Sequence, residues 1–219
     1  MLRRLLHPLH PCRMTSTQAE HGRRSQQGQW MEKVKVSIAS SRAIRGGNYV
    51  QLATVDETGQ PHCRTIVFRG FVALPSGGLA LKMITDARSD KVSQIQHNRS
   101  CEMVWWFSQT SEQYRIAGHL ELVAADSTSP WAVAARSEQW NALSDTAKQQ
   151  FFWSKPGMYD PLVASSVANE GGHGLPPATF LLVLLQPSIV KYLRLSDNAT
   201  LHEAFLPDGT WERRSSIQY

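Results

Sequence analysis

A chain of 219 residues with 42% hydrophobic content is long and apolar enough for one domain with a proper core, which excludes wholesale disorder. Its cysteines, Cys12, Cys63 and Cys101, are scattered without metal-ligand spacing. The sequence therefore predicts neither a disulfide framework nor a metal site. The longest apolar run, Phe180 to Leu185, suits a buried strand and is too short to span a bilayer, so no membrane partner is expected.

The net charge of +5 is concentrated at the N-terminus. Residues 1–24 contain five arginines and one acidic residue, Glu20, so they hold four of the five charges. The rest of the chain is nearly balanced, which argues against a polycationic surface. No nucleic-acid partner is expected.

The first 19 residues contain no acidic residue and place four leucines at helical spacing beside Arg3 and Arg4. This composition is typical of a mitochondrial or plastid transit peptide. The alternatives are that these residues are a disordered N-terminus without a targeting role, or that translation starts at Met14. In either case the protein would be cytoplasmic. Residues 15–29 are rich in Ser, Gln, Gly and Arg and predict a flexible linker. The expected organisation is a disordered tail over 1–29 and one folded domain over 30–219.

In chain order, the folded part begins with an amphipathic helix from Trp30 to Arg45 that Gly46 and Gly47 end. Further helices are predicted at Ser89–His97, with Ser89 as N-cap, and over 129–152. Strands are predicted at Tyr49–Val55, Pro61–Phe71, Leu79–Thr85, Cys101–Ser108, Glu112–Val123, Phe180–Leu185, Ile189–Leu195 and Leu201–Leu206. Five closely spaced strands joined by hairpins, with one short helical crossover, indicate a mainly β (α+β) fold built on an antiparallel barrel. Residues 153–178 are rich in Gly and Pro and predict a long loop.

Two places in this barrel suggest a phosphate site. Arg64 and Arg69 flank an alternating apolar run, and a strand end passes into a helix start over Thr85–Lys91. Cationic and hydroxyl groups at strand ends and at a helix N-terminus suit a phosphate, because unpaired N–H groups and the helix dipole already favour an anion there. The sequence therefore predicts a small phosphorylated cofactor on the sheet. Alternatively, the arginines are solvated surface charges, and Asp86 and Arg88 form a local ion pair.

Four motifs in series carry a resemblance to a known family. They are Leu52–Asp56 followed by Gly59-Gln60-Pro61, then Arg64–Phe71, Thr85–Lys91 and Glu112–Gly118. In this order and spacing the chain resembles pyridoxamine 5'-phosphate oxidase-like proteins, and a looser match extends to the C-terminus. The resemblance implies an FMN-binding split β-barrel and a homodimer with FMN at the subunit interface.

The resemblance also implies roles for individual residues. Arg64 and Lys91 would bind the FMN phosphate. Thr85, Arg88 and Ser89 would line the same pocket. The backbone of Thr65, Ile66 and Val67 would approach the isoalloxazine ring, and Gln113 would hydrogen-bond the flavin, although it could instead satisfy neighbouring backbone. Trp105, Trp106 and Phe107 are expected to serve core and dimer packing rather than stacking.

The chain departs from the true oxidases where they bind substrate. Their late Arg-Leu-His-Asp-Arg segment is here Thr200–Ala204, so only His202 remains. Their substrate-phosphate tyrosine and arginine are here Phe151 and Lys155, and neither replacement is conservative at a phosphate site. Lys155 and His202 stay as candidate substrate-binding residues, and no catalytic side chain is assigned. We expect an FMN-binding oxidoreductase that has lost substrate-binding residues, with a non-catalytic flavin- or ligand-binding module as the alternative.

Overall fold

The computed structural model describes residues 24–153 and 174–215, which form ten strands and four helices. The strands are β1 Arg24–Ser25, β2 Tyr49–Val55, β3 Pro61–Val67, β4 Gly70–Ala73, β5 Leu79–Asp86, β6 Ser100–Phe107, β7 Glu112–Val123, β8 Phe180–Arg194, β9 Ala199–Phe205 and β10 Trp211–Arg213. The helices are α1 Gln29–Ser40, α2 Asp90–His97, α3 Pro130–Asn141 and α4 Asp145–Gln149, with a 3-10 turn at Gln150–Phe152. Within this described part, no helix has the length and apolar character needed to cross a bilayer.

All strand pairs are antiparallel, and the strand order from one end is β1-β10-β9-β8-β7-β6-β2-β3. Strand β8 runs the full length of β7 along one edge, while its other edge pairs first with β5 and then with β9. Just after β3, the Arg69 amide donates a hydrogen bond to the Lys82 carbonyl of β5 at 2.8 Å. This bond links the end of β3 to β5. The change of partner along β8 splits the barrel, so the predicted antiparallel split barrel is confirmed.

Alternating burial along the strands fills the barrel. Val50, Leu52 and Thr54 of β2 are buried, while the residues between them are only partly covered, as expected where one face of a strand points inward. Helix α1 adds Trp30 and Val34 to the same core cluster. A second cluster lies where α3 packs against β5, β7 and β8. The cofactor residues must therefore lie at the barrel's ends, along its edges or on its outer face.

One buried carboxylate fixes the start of α1. Glu203 of β9 is only 1% exposed and accepts hydrogen bonds from the backbone N–H groups of Gln29 and Trp30, at 3.0 and 2.8 Å. These are orphan donors of the first helical turn, and the negative charge also complements the helix dipole. Glu203, 173 residues after Trp30, thus caps α1, because Gly28 at the N-cap position has no side chain to do so.

Regular structure begins within residues 15–29, where the sequence predicted a flexible linker. Arg24 and Ser25 form β1 on β10, and the Arg24 guanidinium lies 3.0 Å from the Asp208 carboxylate. Strands as short as β1 and β10 show no periodic pattern in the sequence, so the sequence predicted neither of them. The transit-peptide interpretation of residues 1–19 falls outside the described residues.

Further boundaries differ from the sequence prediction. Helix α1, expected to extend to Arg45, ends at Ser40. The single strand expected over Pro61–Phe71 is divided into β3 and β4, because Gly70 has φ +121°, a conformation that L side chains rarely adopt. The helix expected over 129–152 is interrupted after α3, and Ser144 begins α4 by accepting a hydrogen bond from the Ala147 amide at 3.3 Å.

Candidate functional site

Arg64 of β3 is held at the end of the barrel by neutral groups. It pairs in register with Leu52, so its side chain lies on the inward face. Its Nη1 donates to the Leu52 carbonyl at 3.1 Å and to Thr54 Oγ1 at 2.6 Å, and its Nη2 donates to Gln94 Oε1 at 2.8 Å. Among the described residues, no carboxylate bonds to this guanidinium.

Lys91 is the second cation of the same cluster. Its Nζ donates to Thr85 Oγ1 at 3.0 Å and to Ser89 Oγ, and within the described part of the chain its third N–H has no acceptor. Burial lowers the pKa of Lys91, and the charge of Arg64 lowers it further. Lys91 lies one helical turn before Gln94, the α2 residue that binds Arg64, and Ser89 is at the N-cap position of α2.

Two neighbouring cations with neutral ligands have a clear chemical use. Burial also lowers the pKa of Arg64, so keeping both charges here has a cost. The charges of Asp86 and Asp90 act in the opposite direction on Lys91, but they offset this cost only in part, because the pKa of Lys91 is still lowered. An anion with several oxygens removes that cost, and arginine, lysine, hydroxyl groups and a helix N-terminus are all phosphate donors. The predicted residues Arg64, Thr85, Ser89 and Lys91 therefore form one candidate anion site, called the anion site below.

Arg88 does not join this cluster. Its guanidinium forms a two-point ion pair with Asp86, at 2.9 and 2.7 Å, and donates to the carbonyls of Trp153 at 2.8 Å and Phe151 at 3.5 Å. This is the local ion pair that the sequence left open, and it raises the pKa of Arg88. Its visible role is to tie the turn before α2 to the end of the α4 segment.

Thr65, Ile66 and Val67 lie on a strand at the end of the sheet order. Strand β3 pairs with β2 alone, so the backbone groups on its outer edge have no ladder partner along the described strands. Such an edge can donate N–H groups to a flat heteroaromatic ligand without special side chains. The three residues adjoin Arg64, so this edge continues directly from the anion site.

Gln113 and His202 lie on the outer face of the sheet, away from Arg64. Gln113 is on β7, three strands from β3, which corresponds to roughly 14 Å at the usual strand spacing. One register row crosses six strands and contains Thr65, Gln51, Val104, Arg115, Lys191 and His202. Burial lowers the pKa of His202, and so does neighbouring Lys191. Within one chain, neither Gln113 nor His202 contacts the anion site.

Other sequence predictions have simpler outcomes. Trp105 and Phe107 are buried core residues, whereas Trp106 points outward and is 42% exposed. Lys155 lies outside the described residues. No group of three metal-ligating side chains is found in the described ranges. Phe151, which the resemblance aligns with the oxidases' tyrosine, packs against Trp140 and Phe180 at ring-centroid distances of 5.8 and 5.0 Å.

Sequence reasoning missed a second polar cleft. It has a volume of about 400 Å³, and Arg69, Lys82 and Gln139 line it. Two buried atoms here have no hydrogen-bond partner, Arg69 Nε and Gln139 Oε1. Burial lowers the pKa of Arg69. Arg69 was visible in the sequence as the second of two spaced arginines, but nothing marked Lys82 on its strand or Gln139 within its helix.

Comparisons with known proteins agree with this geometry. Residues 27–124 match the family model for the FMN-binding domain of pyridoxamine 5'-phosphate oxidase. An Arabidopsis thaliana protein named pyridoxine/pyridoxamine 5'-phosphate oxidase 2 is 32% identical over 186 residues, covering 84% of this chain and 92% of that protein.

Solved structures also resemble the chain. A pyridoxamine 5'-phosphate oxidase-related, FMN binding protein from Nostoc punctiforme is 31% identical, with a TM-score of 0.79 over 87% of this chain and 98% of that one. PhzG from Burkholderia lata, solved in complex with tetrahydrophenazine-1-carboxylic acid, is 17% identical, with a TM-score of 0.67 over 89% of this chain and 94% of that one. The second likeness concerns the fold alone.

Proposed function

Because the chain belongs to the pyridoxamine 5'-phosphate oxidase-like family of FMN-binding proteins, we propose that it is a homodimeric FMN-dependent oxidoreductase with an anionic substrate. One observation carries the cofactor assignment: Arg64 and Lys91 form a pair of cations that only neutral protein groups ligate. A phosphate monoester supplies the missing negative charge and several acceptor oxygens.

The residues present fit FMN. Arg64 and Lys91 would bind its phosphate, with the hydroxyls of Thr85 and Ser89 beside them. The open edge of β3 would meet the isoalloxazine ring with backbone N–H donors. When bound, FMN supplies the hydride chemistry, and the protein's part is to position it and to exclude competing reactions.

The cleft beside Arg69 supports an anionic substrate. The backbone of Arg69 follows directly on β3, so the cleft adjoins the proposed ring site. Its two cationic residues, Arg69 and Lys82, would attract a carboxylate or phosphate.

The proposed dimer uses the outer face of the sheet. This face presents Trp106 and Tyr49, which are 42% and 47% exposed. Aromatic groups are enriched in the cores of such interfaces. Gln113 pairs with Trp106 across β6 and β7, so it lies on this same face and would reach the flavin that the partner subunit's anion site holds. A shared site accounts for its distance from Arg64 of its own chain.

The name of the Arabidopsis relative makes oxidation of pyridoxine or pyridoxamine 5'-phosphate the second candidate activity. We propose that this activity is weak here. Phe151 has no hydroxyl and its ring is buried in an aromatic cluster, so it cannot replace a substrate-binding tyrosine. A non-catalytic flavin-binding module is the alternative that such losses favour.

The test begins with the purified protein. We expect a yellow protein with a flavin spectrum and one FMN per chain. Replacing Arg64 and Lys91 together by Ala removes several charge-assisted hydrogen bonds, each worth roughly 1.5–3 kcal/mol, and should leave the protein colourless. A double variant that keeps full FMN affinity would mean that the phosphate lies elsewhere. Reduction of the bound flavin by NADH or NADPH, followed by reoxidation in air, would separate an enzyme from a binding module.

A further inference from the structure

Arg64 belongs to a closed ring of hydrogen bonds whose other members have no assigned role. Its Nη1 donates to Thr54 Oγ1 at 2.6 Å, the Thr54 hydroxyl donates to Gln94 Oε1 at 2.6 Å, and Arg64 Nη2 donates to the same oxygen at 2.8 Å. Both partners are buried, Thr54 at 1% and Gln94 at 8% exposure. Because arginine can only donate, the orientation of the Gln94 amide is fixed, with its oxygen toward the guanidinium.

The ring determines which edge of the guanidinium remains available. Thr54 and Gln94 contact each other, so they occupy the edge between Nη1 and Nη2, and the Leu52 carbonyl takes the remaining Nη1 donor. Nε–H and the outer Nη2–H have no acceptor among the described residues. These two parallel donors are the pair that binds two oxygens of a phosphate at once.

The chemistry of the ring also preserves the charge of Arg64. A carboxylate in place of Gln94 would hold the guanidinium equally well but would neutralise it. A neutral amide and a hydroxyl orient the side chain and leave its positive charge for a ligand. Gln94 lies on α2, one turn beyond Ser89 and Lys91, so the helix that supplies Lys91 also orients Arg64.

From this geometry we propose that Thr54 and Gln94 are positioning residues, a neutral clamp that selects the phosphorylated form of the flavin over riboflavin by aiming an un-neutralised Arg64 at the phosphate. The proposal rests on the proposed FMN site. It adds that discrimination between FMN and riboflavin depends on a neutral side chain at position 94 as well as on Arg64 and Lys91.

The decisive variant is Gln94→Glu, compared with Gln96→Glu two residues along the same helix. Gln96 is exposed, so this control adds the same charge to α2 away from the ring. Dissociation constants for FMN and for riboflavin are measured on each apoprotein by quenching of flavin fluorescence. Melting temperatures without ligand are recorded in parallel.

We expect Gln94→Glu to weaken FMN binding about tenfold or more, the effect of losing one charge-assisted contact, with riboflavin affinity within about twofold of the wild type. Its unliganded melting temperature should equal or exceed the wild-type value, because the new ion pair holds Arg64. Gln96→Glu should match the wild type in both affinities. Full FMN affinity in Gln94→Glu, or equal losses of FMN and riboflavin affinity, would overturn the proposal.

A second pair of variants does not depend on how Gln94→Glu folds. Thr54→Val removes the hydroxyl from the ring at nearly constant volume, and Thr54→Ser restores it. Thr54→Val should lower the ratio of FMN to riboflavin affinity several-fold, and Thr54→Ser should recover it. Equal ratios in the two variants would contradict the clamp. A wild-type protein that binds neither flavin would instead refute the proposed function itself.

Discussion

If Lys91 binds the FMN phosphate as proposed, the affinity for FMN should be sensitive to alkaline pH. Burial and the charge of Arg64 lower its pKa below the ordinary value of 10.5. The folded protein without ligand therefore loses stability from this group at low pH, where it is charged, and regains it as pH rises through the lowered pKa. Phosphate binding has the opposite sign, because a dianion needs the charged amine. FMN affinity should thus fall as pH rises through the alkaline range, from a point below 10.5.

Lys91→Arg provides the comparison for this pH dependence. An arginine stays charged over the whole range, so its FMN affinity should be flat where the wild-type affinity declines. Riboflavin titrated in parallel corrects for ionisation of the flavin ring. Parallel pH profiles for the wild type and Lys91→Arg would show that Lys91 does not ligate the phosphate.

At the scale of single residues, the sequence indicated which residue types suit the site but not which groups each side chain contacts. The family resemblance implied one pocket for Arg64, Thr85, Ser89 and Lys91, and hydroxyl and cationic groups at a strand end and a helix start suit phosphate. Arg88 has the same chemistry, yet Asp86 and two backbone carbonyls occupy its donors. Which of two neighbouring cations faces a ligand depends on side-chain rotamers and on Phe151 and Trp153, some 65 residues away, and no local pattern records that.

At the scale of elements, β8 shows how tertiary pairing overrides a local breaker. The sequence predicted two strands here, Phe180–Leu185 and Ile189–Leu195. Pro187 lies between them, and a proline cannot donate to a ladder. The structure keeps one strand of 15 residues by shifting the register of β7 between Ala117 and Gly118. With this β-bulge, β8 stays paired with β7 both before and after Pro187.

Gly118 should be intolerant of any side chain for this reason. A Cβ atom there would lie 2.1 Å from the Gln186 carbonyl oxygen, a backbone atom that cannot move aside. We expect Gly118→Ala to lower the free energy of unfolding by about 3 kcal/mol, at the upper end for overpacking. Gly174→Ala is the matched control, because nothing lies within 4 Å of its Cβ position. Chemical denaturation of both variants measures the difference, and equal stabilities would disprove the clash.

For the whole molecule, barrel closure could be predicted from the spacing of strands and hairpins, but the faces of the barrel could not. The alternation in β6 predicts that Trp105 and Phe107 share a face and that Trp106 points the other way. Only the assembled sheet shows that the outward face spans several strands. Gln113 and His202 lie there, beyond reach of Arg64 in the same chain.

The outer face predicts the effect of a charge at Trp106. Because this side chain is 42% exposed in one chain, Trp106→Glu should leave the monomer folded while it places a charge in the proposed interface core. Light scattering should show a dimer for the wild type and a monomer for the variant, with weaker FMN binding in the monomer. Val36→Glu, at an exposed position of α1, should remain dimeric. A wild-type monomer with tightly bound FMN would contradict the shared site.

The last prediction concerns the reaction of the whole molecule: it should oxidise pyridoxine or pyridoxamine 5'-phosphate poorly. A phosphate dianion that leaves water needs replacement donors. The resemblance aligns the oxidases' tyrosine with Phe151, whose ring is buried against Trp140 and Phe180. Losing two charge-assisted bonds costs on the order of 3–6 kcal/mol. That corresponds to roughly a hundred- to ten-thousand-fold in transition-state binding.

The cleft beside Arg69 offers a partial substitute, so weak turnover is compatible with this expectation. FMN-loaded protein is mixed with each phosphorylated vitamer under air, and formation of pyridoxal phosphate and peroxide is followed. Arg69→Ala serves as the companion variant: it should abolish residual turnover while FMN affinity stays unchanged, because Arg69 lines the cleft and not the Arg64–Lys91 cluster. Efficient turnover at micromolar substrate would contradict the prediction and show that the correspondence of Phe151 and Lys155 to the oxidases' tyrosine and arginine, or the loss inferred from it, is wrong.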